Sequence, residues 1–268
     1  MSRLSGKVVV VLGGARGIGL TSVQQMLLEG ATVFVGDIRE PSAEIDHGSF
    51  TSRIIDATDE GDIREFIDEI LQVTGRIDVL FCNVGVHLGK DIADTTVEEF
   101  EGIFAINVRS AFLACRAVIP SMRARRNGNI IITSSNGGLM GRPGDPVYNA
   151  TKHALVGLAK SLAVAYAQDG IRVNTINPGA IDTDMLRGSA STLSDEFQKK
   201  VSASTPAARV GSPLEVANTV VFLASDESRF INGISLAIDG AKSAGALPAA
   251  RYSENFDLQY YQTSSSDR

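Results

Sequence analysis

Tyr148 and Lys152 stand four positions apart in the run Tyr148-Asn149-Ala150-Thr151-Lys152. That spacing puts both side chains on one face of a helix, one turn from each other. An isolated phenol, with a pKa of about 10, is a poor base at neutral pH. A neighbouring ammonium stabilises the phenolate and brings the phenol toward the working range. The pair is therefore suited to moving a proton on or off an alcohol oxygen. Ser134 and Ser135 precede it, and Asn107 lies in the apolar stretch Ile106-Asn107-Val108. A buried asparagine must find partners, so Asn107 is either a helix-interior amide satisfied by backbone or part of a polar site.

Such groups need elements to hold them. Residues 8–12 form a continuous β-branched apolar run, as expected of a strand buried on both faces of a parallel sheet. The loop Gly13-Gly14-Ala15-Arg16-Gly17-Ile18-Gly19 follows, then a helical pattern over 20–29 ended by Gly30. A second apolar strand, 32–36, finishes at Asp37. Glycines allow the backbone to approach a pyrophosphate, the helix N-terminus offers it N–H groups, and the acid at the second strand end can accept from ribose hydroxyls. The layout is that of a dinucleotide-binding βαβ unit.

The alternation continues. Strands are expected at 50–56, 79–83, 129–135, 172–177 and 234–238. Helices are expected at 59–73 (capped by Thr58 or Asp59), 97–125, 148 to about 168, near 194–201, and 213–224. Pro120 is expected to kink or shorten the third of these helical stretches, counting 20–29 first. Strict βα alternation implies an α/β fold: a single-domain, Rossmann-type doubly wound parallel sheet with helices on both faces. Residues 1–245 read as one dinucleotide-binding and catalytic domain. A Ser/Thr/Ala-rich stretch at about 182–208 suits a substrate lid. The extension 246–268 carries Tyr252, Phe256, Tyr260 and Tyr261, and is expected to be partly disordered or packed on a neighbouring subunit or the site. In such sheets ligands bind beyond the carboxyl ends of the strands, where the glycine loop, Asp37, Asp56, Asn83, Ser134-Ser135 and Asn177-Pro178-Gly179 all fall.

Composition narrows the setting. A 268-residue chain with 44% hydrophobic and 21% charged residues is that of a globular protein with a sizeable core. A net charge of −6 argues against nucleic-acid and anionic-membrane partners. No uninterrupted apolar run has membrane-spanning length, no signal-peptide core opens the chain, and Cys82 and Cys115 lie in apolar surroundings. A cytoplasmic protein with reduced thiols is the expectation. His47, His87 and His153 lack metal-ligand spacing, so no metal is expected.

From about Lys7 to Ala244 the chain resembles the short-chain dehydrogenase/reductase family. The resemblance rests on Gly13-x-x-x-Gly17-x-Gly19, Asp37, Asp56, Asn83-Val84-Gly85, Asn107, Ser135, Tyr148-x-x-x-Lys152 and Asn177-Pro178-Gly179, with Ser135 thirteen residues before Tyr148. It implies hydride transfer between a nicotinamide cofactor and a secondary alcohol or ketone. Tyr148 would be the general acid/base. Lys152 would lower its pKa and hold the nicotinamide ribose. Ser135, rather than its neighbour Ser134, would bond the substrate oxygen, and Asn107 would hold a water in a proton relay behind Lys152. The cofactor would lie along Gly13, Arg16, Gly17, Ile18, Gly19, Asp37, Ile38, Asp56, Ala57, Asn83, Gly85, Tyr148, Lys152, Pro178, Gly179, Ile181 and Thr183. Two departures touch the cofactor loop: Leu12 replaces the family's threonine, and Cys82-Asn83-Val84-Gly85 replaces Asn-Asn-Ala-Gly.

A carboxylate at Asp37 repels a 2′-phosphate and favours NAD over NADP. Arg16 and Arg39 pull the other way, unless Arg16 is solvated or pairs with Asp37. For the substrate, His87, Asn136 and Met185 are the named candidates, while Arg142 and Arg187 are either anion contacts or solvated. A homotetramer built on the two long helices is expected by resemblance. The rival readings are an NADPH-dependent 3-oxoacyl-carrier-protein reductase and a non-catalytic dinucleotide sensor or scaffold.

Overall fold

A computed structural model describes residues 2–188 and 192–245. The expectations for 246–268, and for 189–191 of the lid stretch, lie outside the described residues.

Seven strands form one parallel sheet in the order β3-β2-β1-β4-β5-β6-β7. They are β1 Val8–Leu12, β2 Thr32–Asp37, β3 Phe50–Ile54, β4 Val79–Cys82, β5 Gly128–Thr133, β6 Ile171–Pro178 and β7 Ser235–Ile238. The order in which strands are added reverses across the parallel β1–β4 pair, where Leu12 registers with Cys82. Aligned registers bring the residues following β1, β2, β4, β5 and β6 to a common edge. Val9, Val10, Val11, Leu80, Phe81, Ile130 and Ile131 are fully buried, which accounts for the unbroken apolar runs. Burying each such side chain contributes about 1.5–3 kcal/mol.

Helices cover both faces. On one, α1 (Gly17–Leu28) and α8 (Pro213–Ala224) pack against the sheet through Val23, Met26, Val216 and Val220. On the other lie α2 (Glu60–Thr74), α4 (Ser110–Ala124) and α5 (Pro146–Tyr166), through Ile67, Ala114, Val118 and Leu155. Local signals set their ends. Asp59 accepts from the Asp62 N–H to start α2, and Gly75 ends it in the left-handed region at φ 71°. Ser212 and Glu215 form a capping box at α8 with Pro213 in the first turn. Pro120 neither stops nor shortens α4, which runs to Ala124. A proline removes a single backbone donor, and here its loss falls near the helix end.

The helix expected at 97–125 is three joined pieces: α3 (Val97–Phe104), a π-helical turn over Ala105–Arg109, and α4. By length and composition Val97–Ala124 passes for a membrane span, but half of it is buried inside the fold, as in the core helix of a globular domain. The lid stretch contains α6 (Asp184–Arg187) and α7 (Asp195–Ser204).

Candidate active site

Most residues singled out in the sequence converge on the carboxyl edge of the sheet, many of them held by hydrogen bonds. The nucleotide side begins with the loop after β1. A Cβ at Gly19 would collide with the Gly13 carbonyl, and one at Gly13 would sit 2.8 Å from the Val84 nitrogen, so only glycine lets these strand ends close up. Asn83 bolts the loop in place: its Nδ2 donates to the Gly13 carbonyl at 2.9 Å and its Oδ1 accepts from Thr133 Oγ1 at 2.9 Å. Leu12, which replaces the family's threonine, is buried in the core, so packing stands in place of that hydroxyl. Helix α1 has no side-chain cap and no acid in its first turn, leaving its N–H groups and positive dipole end to an anion.

Asp37, at the end of β2, accepts from the Ala15 N–H at 3.0 Å and the Arg39 N–H at 3.2 Å. No ion pair joins Arg16 or Arg39 to Asp37 among the described residues, so both guanidinium groups stand without an acidic partner. Ile38 is exposed beside Asp37, and Asp56 holds the turn before α2 by accepting from Thr58 N–H and Oγ1, with Ala57 buried behind it. Across the loop lies Thr183, whose methyl a Cβ at Gly17 would meet at 3.3 Å. Ile181 forms a bridge with Gly211, and Gly179 N–H donates to Ile238, fixing the chain after Pro178. These residues fit a dinucleotide: a glycine cradle, an anion-receptive helix end and a carboxylate at the second strand end.

The proton chemistry sits on α5. Asp145 caps this helix by accepting from the Tyr148 N–H at 3.3 Å, with Pro146 beginning it. Lys152 is buried, lies 5.5 Å from the Tyr148 ring centre, and donates to the Thr133 carbonyl at 3.2 Å. Burial lowers its pKa to about 8, which still leaves it mostly charged at pH 7. Gly85 makes room for it, since a Cβ there would stand 3.2 Å from Nζ. Tyr148 behaves differently from expectation. Burial raises its pKa above the ordinary phenol value, outweighing the Ser135 hydroxyl and the Arg142 charge, which both favour phenolate, while the Asp145 charge adds to the rise. Lys152 is not among the groups that shift it.

The two serines part company. Ser134 Oγ donates to the Lys152 carbonyl at 2.9 Å and so buttresses α5, with Gly138 leaving it space. Ser135 is the one that reaches the phenol; its Oγ also accepts from the Gly137 N–H at 3.1 Å. Asn107 sits in the π-helical turn, a device frequent at functional sites. Its amide is fully engaged: Oδ1 accepts from Val86 N–H at 2.7 Å, and Nδ2 donates to the Val86 carbonyl and Thr151 Oγ1, both at 3.0 Å. It ties the loop after β4 to α5, beside Lys152.

Of the substrate candidates, Asn136 is buried and accepts from Arg142 Nη1 at 3.4 Å, whereas Met185 is exposed on α6. Arg187 is taken by Asp182 at 2.7 Å. His87 stands against the Tyr148 ring, centres 5.0 Å apart, and pairs with Asp145 at 3.0 Å. Sequence reasoning missed Asp145 and Thr133. An Asp-Pro step before a helical pattern signals a cap and points to Asp145, but nothing local tells that it reaches His87.

A family model described as enoyl-(acyl carrier protein) reductase matches residues 13–241. Cyclopentanol dehydrogenase of a Comamonas strain is 39% identical over 251 residues, 91% of this chain and all of that one. A 3-oxoacyl-acyl-carrier-protein reductase of Thermotoga maritima is 35% identical over 245 residues, 89% of this chain and 98% of that one. Among solved structures, a gluconate 5-dehydrogenase from Burkholderia cenocepacia, in complex with NADP and tartrate, superposes with a TM-score of 0.85 at 29% identity, covering 91% of this chain and 98% of that one.

Proposed function

The chain belongs to the short-chain dehydrogenase/reductase family, and from that premise we propose that it transfers a hydride between NAD(H) and a small secondary alcohol or its ketone. Tyr148 is the acid/base. With the phenol's pKa raised by burial, the protein alone stores the proton needed to finish a ketone reduction. In the other direction the phenolate takes the alcohol proton, Ser135 holds the same oxygen, and the Lys152 ammonium faces the ring 5.5 Å away. When bound, NAD would supply the hydride acceptor and a positive charge that favours the phenolate. Asn107 keeps the Val86 loop and α5 in register behind Lys152, and the relay role expected of it belongs to this proposal.

The observation that carries the choice of NAD is Asp37, whose carboxylate is pinned by the Ala15 N–H at the mouth of the glycine loop. A 2′-phosphate there would meet a fixed negative charge. Titration of the purified protein with NADH and NADPH, followed by fluorescence, is expected to show NADH binding about 10- to 100-fold tighter, a gap of roughly 1.4–2.8 kcal/mol. Asp37→Ser should narrow it. A preference for NADPH would overturn the assignment. Cyclopentanol with NAD is the first turnover probe, by likeness to the Comamonas relative.

A second reading, an NADPH-dependent 3-oxoacyl-carrier reductase, is favoured by Arg16 and Arg39, whose guanidinium groups have no acid to neutralise them. A non-catalytic sensor has no such support, since Asn107, Ser135, Tyr148 and Lys152 are all in place. We further place the protein in the cytoplasm, in keeping with two buried free thiols, Cys82 and Cys115. Assembly as a homotetramer would use the groove between α4 and α5, lined by Phe112, Ile119, Leu158, Leu162 and Tyr166.

A further inference from the structure

Tyr148 has a neighbour that the family resemblance does not supply. His87 follows β4 on the loop Val84–Gly89 and is half exposed, so it belongs to the wall of the site rather than to the core. Its ring is tilted 58° against that of Tyr148, with the centres 5.0 Å apart, within the range of favourable ring packing. Its Nε2 lies 3.0 Å from Asp145 Oδ2. A carboxylate can only accept, so Nε2 carries the hydrogen whatever the ring's total charge. Asp145 is buried and takes three donors at once: the Tyr148 N–H at the start of α5, the Gly89 N–H at 3.1 Å, and His87. One carboxylate thus ties together the helix that bears the acid/base and the loop that packs on its ring.

We propose that His87, held by Asp145, is a positioning residue for Tyr148: the imidazole fixes the phenol ring from the substrate side and screens the Asp145 charge from the oxygen that must become anionic. The proposal rests on Tyr148 being the acid/base. The charged and titratable groups around that ring are Lys152 on α5, Arg142 and Asp145 on the segment leading into α5, and His87 on the loop after β4. Asp145 alone is acidic. An unscreened carboxylate there opposes phenolate formation; an imidazole N–H bonded to it draws the charge away. His87→Phe keeps a ring against Tyr148 and removes the donor, whereas Asp145→Asn keeps a good helix cap and removes the charge.

The test is an ultraviolet difference titration of tyrosine ionisation in the full chain, with Tyr148→Phe subtracted to isolate the one phenol. It needs no substrate. Asp145→Asn is expected to lower the Tyr148 midpoint by about one pH unit, and His87→Phe to raise it by about half a unit, the scale set by a charge a few ångströms away. The double variant should match Asp145→Asn alone, because no charge remains to be screened. Midpoints unchanged in both single variants, or raised by Asp145→Asn, would overturn the proposal. If Asp145→Asn failed to fold, His87→Phe against His87→Asn, which restores a donor, would decide by the same midpoint. NADH affinity should be unmoved in every variant. Loss of NADH binding in the unaltered protein would instead sink the dehydrogenase reading and leave the phenol measurement standing.

Discussion

The two ends of one sheet hold buried charge in opposite ways. At the amino end, Asp78, just before β4, accepts from the Val8 N–H at 2.8 Å, Arg125 Nη2 at 2.6 Å and Arg76 Nε at 3.1 Å. Burial alone would push its carboxyl up, but these donors bring it below the ordinary value. At the carboxyl end, Lys152 is more deeply buried yet its recorded hydrogen bond goes to a carbonyl oxygen, and burial pulls its pKa down to about 8. Neither of its neighbours Asn107 and Thr133 carries a charge. A charge neutralised by its own neighbours serves stability, because its lone pairs are spent. A charge left uncompensated costs stability and remains available to a reacting oxygen. The comparison separates a joint from a tool.

Substitutions at the two ends should therefore fail differently. The largest effect is expected of Tyr148→Phe: kcat falling about 10³-fold, near 4 kcal/mol of barrier, with the melting temperature and NADH affinity nearly unchanged. Retained turnover would remove the tyrosine from the mechanism and with it the contrast. Asp78→Ala should do the reverse. Leaving two guanidinium groups without their carboxylate and the Val8 N–H without its acceptor is expected to cost about 3 kcal/mol in denaturant unfolding while kcat per folded molecule holds. Lys152→Met sharpens the contrast further: turnover should drop about 10²-fold while stability rises by roughly 1–2 kcal/mol, since a buried ammonium is replaced by an apolar chain.

The remaining effects should appear in the pH dependence of stability, read as melting temperature. Asp78 has a folded pKa below its ordinary 3.8, so its contribution is full above that value and is lost as pH falls through the lower folded one. Lys152 titrates at about 8 when folded against 10.5 when unfolded. The folded state then binds fewer protons between those values, and stability should climb as pH rises from about 8 toward 10.5. Asp78→Asn should flatten the acid side without touching the alkaline side, and Lys152→Met the reverse. A shift from 10.5 to about 8 makes the alkaline arm worth up to about 3 kcal/mol, and equal slopes in wild type and variant would break the comparison.

Much of this was legible in the linear chain. The strand at 8–12 and the helix at 213–224 appear where expected because a buried strand and a capped amphipathic helix announce themselves by composition over short windows. The helix at 97–125 was legible as helix but not as three pieces, since a π-helical turn shifts the ladder by one residue without changing composition. The serines were ambiguous for a related reason. Neighbours leaving a strand point to opposite sides, so Ser134 and Ser135 divide between bracing α5 and meeting the phenol, and only the sheet's facing decides which.

What the sequence by itself determined is what short spacing can encode: a glycine loop between strand and helix, an acid at the next strand end, a tyrosine and lysine one turn apart, and alternation that admits a single sheet order family. These are local statements about backbone conformation and periodicity. What only the tertiary structure decided is electrostatic. Burial of the phenol pushes its pKa above the ordinary value, outweighing the Ser135 hydroxyl and the Arg142 charge, and no spacing of tyrosine and lysine encodes that. Asp145 and His87, 58 positions apart, meet at 3.0 Å only because two loops leave adjacent regions of one sheet edge. Desolvation and through-space charge depend on distances that no spacing along the chain contains.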